Sequence, residues 1–200
     1  MRVIAGDFGG RRLKAVPGTN TRPTTDKVKE SMFNIIGPYF NGGTALDLFA
    51  GTGGLGIEAL SRGIDRAVFV DKDFKALSTI RENLTALGLQ KDRAEVQKND
   101  AKRALEGLKA RGETFNLVFL DPPYKLTGLY HELILHLQEQ SMLHDGAVIV
   151  AEHSEDVELP DRFAGAVRWR LATYGEIAIS FYEWKADQDP VEANEEGMTK

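Results

Sequence analysis

The chain contains no cysteine, which removes disulfides and thiolate metal sites together and leaves a cytosolic, cytoplasmic setting as the expectation. Its four histidines, His131, His136, His144 and His153, include no pair four residues apart and no H-E-x-x-H spacing, so no metal site is expected; surface or helix-face positions are. No apolar run approaches the ~18 residues that cross a bilayer, and no charged-then-apolar leader with a cleavage site opens the chain. No membrane association is expected. Repeats and long linkers are also missing, so the 200 residues, 42% hydrophobic, are read as one domain over 1–185, monomeric by default.

Positive charge is in short supply overall, with a formal net charge of −5, but it is unevenly placed. Residues 1–40 hold seven Lys/Arg against three Asp/Glu, whereas residues 186–200 hold one against five. The basic end is the candidate docking face for a polyanion, since local fields matter more than the sum. The acidic end, "ADQDPVEANEEGMTK", is aperiodic and poor in apolar groups, and a disordered tail is expected there.

From Thr44 onward, short apolar runs alternate with longer amphipathic ones. "TALDLFA", "RAVFVD", "AEVQ", "FNLVFL" and "AVIVAEH" read as strands, with helices from about Leu55, over Phe74 to Leu87, over Ala101 to Arg111 and over Leu129 to Gln140. That alternation predicts an α/β fold, a mostly parallel sheet covered on both faces. "VRWRLATY" and "IAISFYEW" are β-rich and separated only by Gly175-Glu176, which predicts a C-terminal antiparallel hairpin at one edge. Before the sheet, "MRVIAGDFGGRRLKAV" reads as a small N-terminal β-hairpin with Arg11, Arg12 and Lys14 on its second arm. In "RPTTDKVKESMFNII", Val28, Met32, Ile35 and Ile36 form one apolar stripe that predicts a helix packed on the sheet edge, capped by Thr24, Thr25 or Asp26. Hairpin and helix together make residues 1–40 an extension of the domain.

The first strand runs into "LDLFAGTGGLGIEAL". Gly51, Gly53 and Gly56 satisfy G-x-G-x-x-G, and Asp71 stands twenty residues past Gly51 at the end of the second strand, placed to hold ribose hydroxyls. Spacing alone would suit a nicotinamide or flavin. Asp47 changes that, because a carboxylate four residues before Gly51 is awkward beside pyrophosphate but suits the cationic methionine end of S-adenosyl-L-methionine. Asp100, ending the third strand in "VQKND", is a candidate acceptor for an adenine amine, although strand-end carboxylates also cap helices. Phe49, Thr52, Lys72 and Ala101 flank these positions and complete the candidate cofactor site.

The fourth strand stops abruptly at Asp121-Pro122-Pro123-Tyr124. Two prolines fix two φ angles, remove two donors and bias Asp121 toward extended backbone. At the switch point of a parallel sheet this is a rigid pair of acceptors: the Asp121 carboxylate and the Pro122 carbonyl can each take one N–H of an exocyclic amine. Tyr124 offers a face for a base turned out of its stack. D-P-P-Y alone also occurs as an ordinary turn; its place after the glycine loop and the fourth strand is what carries weight.

With those residues in view, the sequence resembles the bacterial small-subunit (16S) rRNA guanine-N2 methyltransferases of the RsmD type. The resemblance rests on "RVIAGDFGGRRL", "RPTTDKVKESMFNII", "LDLFAGTGGLGIEALSRG", "VFVDKD", "FLDPPY" and "YGEIAISFYEW", and reaches to about Trp184. It implies a class I S-adenosylmethionine-dependent methyltransferase (Rossmann-like) fold and a guanine of 16S rRNA as acceptor, within the small ribosomal subunit or an assembly intermediate. It also implies Asp47, Gly51 and Gly53 around the methionine moiety, Asp71 on the ribose and Asp100 near adenine. Asp121 to Tyr124 would meet the target base, with Arg22 and Thr24 near the pocket. The family's opening segment usually carries a second glycine where this chain has Ala5, and its closing Tyr-Gly often follows a basic residue where this chain has Ala172-Thr173. Arg168 and Arg170 are the candidates to substitute. For Arg11, Arg12 and Lys14, phosphate contact is favoured over a solvated face because no acids balance them in sequence. Two alternatives stand: a DNA adenine-N6 methyltransferase, which would use the same clamp, and a catalytically silent RNA-binding module of the same fold.

Overall fold

Strand-length apolar runs bounded by Gly, Asp and Pro become the sheet, and the amphipathic runs between them become its cover. In the computed structural model, which describes residues 1–18, 25–122 and 127–186, the parallel strands are β1 (Thr44–Asp47), β2 (Arg66–Asp71), β3 (Ala94–Lys98), β4 (Phe115–Leu120) and β5 (Leu143–Ser154). β6 (Arg162–Phe163), β7 (Ala166–Tyr174) and β8 (Ile177–Trp184) are antiparallel. The helices are α1 (Asp26–Ile36), α2 (Gly54–Ser61), α3 (Phe74–Ala86), α4 (Ala101–Ala110) and α5 (Thr127–Glu139). The described strands form one sheet in the order β3-β2-β1-β4-β5-β8-β7-β6. Chain direction of travel reverses between β1 and β4, and the crevice beyond their carboxyl ends is where open α/β sheets bind ligands.

Alternation along the central strands divides the core. Leu46, Val68, Val118, Leu120, Ile149 and Ala151 face α4 and α5, whereas Ala45, Phe69, Leu117, Phe119 and Val150 face the side of α1, α2 and α3. The predicted hairpin of β7 and β8 is present, with β8 against β5. No described helix is long and apolar enough to cross a membrane.

Three expectations need correction. The N-terminal hairpin is held by Val3 N–H to Arg11 O, Gly10 N–H to Val3 O and Leu13 N–H to Met1 O, but forms a single bridge, Arg2 to Arg12, rather than two strands. Glycines and turns over residues 5–10 leave too little extended backbone for a ladder. Helix α1, capped by Thr25 through the Val28 N–H, packs on the sheet face instead of its edge: Phe33 lies 5.8 Å from Phe119 of the central β4. Finally, His153 is buried on β5, not at the surface. Its Nδ1 donates to the Ser154 carbonyl at 2.9 Å, and its Nε2 therefore accepts from the Ser180 hydroxyl at 2.9 Å. Desolvation pushes its pKa down, which suits that neutral tautomer.

The N-terminal segment and α1 are tied to α2 through a buried charge. Glu58 of α2, fully buried, accepts from Ile4 N–H at 2.8 Å and Ala5 N–H at 3.1 Å. It also pairs with Lys29 at 3.2 Å and with Arg62 at 2.8 Å. Arg62 in turn lies over the Phe33 ring, 5.0 Å from its centroid. The N-terminal segment and α1 are therefore anchored to the same side of the sheet as α2.

Candidate active site

The glycine loop is built by close approach. Gly51 has φ +53°, and a Cβ added there would meet nothing within 4 Å, so its backbone borders open space. Gly56 has the opposite reason: a Cβ there would stand 2.4 Å from the Phe69 ring, so only glycine lets α2 sit so close to β2. Gly53 is the N-cap of α2. Asn83 of α3 steadies the loop, its Nδ2 donating to Thr52 O at 3.0 Å.

Acidic side chains end successive strands on one face. Asp47 ends β1, is 3% exposed, and accepts from Gly56 N–H at 3.2 Å. Burial, reinforced by the charge of Asp71, pushes its carboxyl up to about 7. Asp71 ends β2 and accepts from Gly51 N–H and Asp73 N–H, each at 2.9 Å, which joins the loop to the second strand. Asp121 follows β4, and Phe119 pairs with Asp47 in the ladder, so period-2 alternation carries Asp121 to the Asp47 face. Asp121 keeps an exposed surface yet is ringed by enough protein to be desolvated, the setting of a crevice wall. That desolvation, then Glu152, then Asp47, raise its carboxyl well above the usual range. Pro122 beside it is buried.

The structure thus places Asp47, Asp71 and Asp121 at the carboxyl ends of β1, β2 and β4 on one face of the sheet, with Gly51 bonded to Asp71, Gly53 capping α2, and Phe49 and Thr52 on the connecting loop. Lys72 follows Asp71 and is exposed. Asp100 is the N-cap of α4, accepting from Arg103 N–H at 3.1 Å, so the capping role is real; its other oxygen lies 3.6 Å from Arg103 Nε. Ala101 is buried at the start of that helix. Pro123, Tyr124, Arg22 and Thr24 lie outside the described residues, as does the tail from 187. The sequence reading missed Glu152, a carboxylate only 6% exposed near the end of β5, whose signal was a charge closing the apolar run "AVIVAE".

The basic face is partly neutralised, contrary to the sequence count. Lys14 pairs with Glu82 at 2.7 Å, and the Arg11 guanidinium donates to Ala86 O at 2.8 Å, because folding lays this arm against α3. Among the described residues no carboxylate pairs with Arg11 or Arg12. Of the substitutes on β7, Arg168 is held by Asp161 and the Leu159 carbonyl, while Arg170 is exposed.

A protein family described as Conserved hypothetical protein 95 matches residues 1–183. The chain belongs to this family. It is 55% identical over 183 residues to the Bacillus subtilis (strain 168) "Putative rRNA methyltransferase YlbH", covering 92% of this chain and 98% of that protein. It is 34% identical over 186 residues to the "Ribosomal RNA small subunit methyltransferase D" of Escherichia coli (strain K12), covering 93% and 91%. Among solved structures, the Escherichia coli "Putative methyltransferase yhhF" is similar with a TM-score of 0.77 and 35% identity, over 93% of this chain and 98% of that one. The resemblance drawn from the motifs and the methyltransferase fold it implied both hold.

Proposed function

We propose that this protein transfers a methyl group from S-adenosylmethionine to the exocyclic N2 amine of one guanine in small-subunit (16S) rRNA, acting as a monomer on the subunit or an assembly intermediate. The observation that carries the donor is the row of carboxylates Asp71, Asp47 and Asp121 along β2, β1 and β4. A site built for pyrophosphate would present donors and positive charge there, whereas three acids suit a ligand bearing an ammonium and a sulfonium. The residues fit that group: the Asp71 carboxylate joins the glycine loop to the end of β2, Gly51 borders open space, and Asp47 is a buried carboxyl that a nearby cation would hold ionised. Support for the acceptor comes from the rRNA methyltransferase names of the relatives.

When bound, the cofactor supplies an electrophilic methyl on sulfur. The protein's part is to make a poor nucleophile good. The N2 lone pair is delocalised into the purine; Asp121 and the Pro122 carbonyl each accept one N–H, which favours a tetrahedral nitrogen and aims its lone pair. With the methyl carbon passing to N2, one N–H proton would leave toward Asp121, which would hold it, and the product would be a secondary amine. Positioning and fixed charge do this work. Arg12 and Arg170, with Arg22, Thr24 and Arg11, are the contacts proposed for the RNA backbone.

Asp47 makes cofactor affinity depend on pH. A cation stabilises the ionised carboxylate, yet in the free protein that form is reached only above about 7. Binding therefore releases a proton, and affinity falls as the pH drops: between pH 6 and pH 5 the cofactor Kd should rise close to tenfold. Calorimetry in buffers of different ionisation enthalpy checks both the slope and the proton; with Asp47→Asn both effects should shrink.

The function itself is tested by labelled methyl transfer to small subunits purified from cells lacking this protein, with the modified nucleoside identified by mass spectrometry. N2-methylguanosine is expected. N6-methyladenine on a DNA control would replace the reading, and intact cofactor binding with no transfer to any subunit preparation would overturn the choice of acceptor.

A further inference from the structure

The clamp at Asp121 accounts for an amine, and an amine alone does not distinguish guanine from adenine. The two purines differ beside it. Guanine presents a second donor, N1–H, next to its N2 amine, while the N1 next to the N6 amine of adenine is a bare acceptor. A site that selects guanine needs a second acceptor next to the first.

Strand β5 supplies one. Leu120 pairs with Ala151 in the parallel ladder, so the following residues, Asp121 and Glu152, are neighbours across adjacent strands about 4.8 Å apart. Val150 faces the same core as Phe119, and alternation carries Glu152 to the face that holds Asp121 and Asp47. The two acids feel each other, since Glu152 is a cause of the raised Asp121 carboxyl. The backbone of Glu152 is held from the opposite face by the Tyr130 hydroxyl, which donates to its carbonyl. Next along β5, His153 points the other way into its bond with Ser180.

We infer that Glu152 is a specificity-determining residue whose carboxylate accepts the N1–H of the target guanine beside the amine held by Asp121, and so rejects purines with a bare N1. The inference rests on the guanine reading above. Glutamate, one methylene longer than aspartate, reaches past the amine to the neighbouring ring nitrogen. Against adenine the same carboxylate would face a lone pair, leaving two buried acceptors opposed, and sites built around a hydrogen bond discriminate strongly against partners that lack it.

The test uses the full-length protein and reconstituted small subunits whose 16S rRNA carries, at the modified position, guanine, 2-aminopurine or 6-thioguanine. 2-Aminopurine keeps the N2 amine and loses N1–H; 6-thioguanine keeps both and alters only position 6. The wild type should methylate guanine and 6-thioguanine at similar kcat/KM and 2-aminopurine about 10²-fold less well. Glu152→Leu, which removes both acceptor oxygens at a comparable volume, should lose about 10²-fold on guanine and little on 2-aminopurine, so that the preference falls toward one while cofactor affinity stays near wild type. A preference unchanged in Glu152→Leu overturns the role. So does a wild type that methylates 2-aminopurine as well as guanine, which needs no variant to fold. A wild-type product other than N2-methylguanosine overturns instead the reading on which the inference rests.

Discussion

Asp121→Ala should lower kcat for methyl transfer about 10³-fold, the scale seen when a preorganised polar contact to a reacting group is deleted. Its effect on cofactor affinity should be far smaller, because Asp47 and Asp71 remain. The stability effect should be small or favourable. Asp121 sits in a desolvated position beside Glu152 and Asp47, and all three influences oppose its charge, so removing it relieves repulsion. A variant that loses activity while its unfolding midpoint holds or rises is the signature of a group kept for chemistry at a cost in stability. Single-turnover rates, cofactor titration and thermal unfolding on the same preparation check all three parts. A drop of less than tenfold with saturating cofactor would remove Asp121 from the transfer step. Asp121→Asn should recover little, since an amide offers one acceptor oxygen and cannot take the departing proton.

Glu58→Ala should have the largest effect on stability, about 4 kcal/mol, or a fall in Tm of about 10 °C for a domain of this size. The change leaves two cations and two N–H groups without their shared acceptor: Lys29, Arg62, Ile4 and Ala5. Burial already pushes the Lys29 ammonium down and Glu58 is what holds it up, so without the carboxylate Lys29 should shed its proton rather than stay charged. Urea unfolding gives the free energy. Because the lost contacts join the N-terminal segment and α1 to α2, amide exchange should rise first in residues 3–5 and in α1. Glu58→Gln, which can still accept from both backbone groups, should cost clearly less. Equal losses for the two variants would show that the ion pairs, not the backbone contacts, dominate the site.

The strand and helix pattern from Thr44 to Trp184 was legible because a parallel sheet covered on both faces needs apolar runs at strand length and amphipathic runs between them. The short β6 was not legible, since two residues carry no period. Helix α1 was recognised from its stripe, but its neighbour was misjudged: a stripe says that a face is buried and is silent on what buries it. The same limit applies to Arg11 and Lys14. Counting charges along residues 1–40 left them unbalanced, whereas their partners, Ala86 and Glu82, come from α3 some seventy residues away.

By itself, then, the sequence determined the local chemistry: glycines where backbone must pass close, Asp47 and Asp71 at strand ends, and Asp121 with Pro122 directly after β4. These are properties of short segments, set by backbone sterics and by the period of a strand. Only the tertiary structure decided which strand lies beside which. The order β2-β1-β4-β5 turns acids separated by up to 105 residues in the chain, Asp47 to Glu152, into one row on one face. Glu152 belongs beside Asp121 because β5 pairs with β4 in the register Leu120 to Ala151. Nothing local encodes that register, which follows from how both faces of the sheet bury their side chains together.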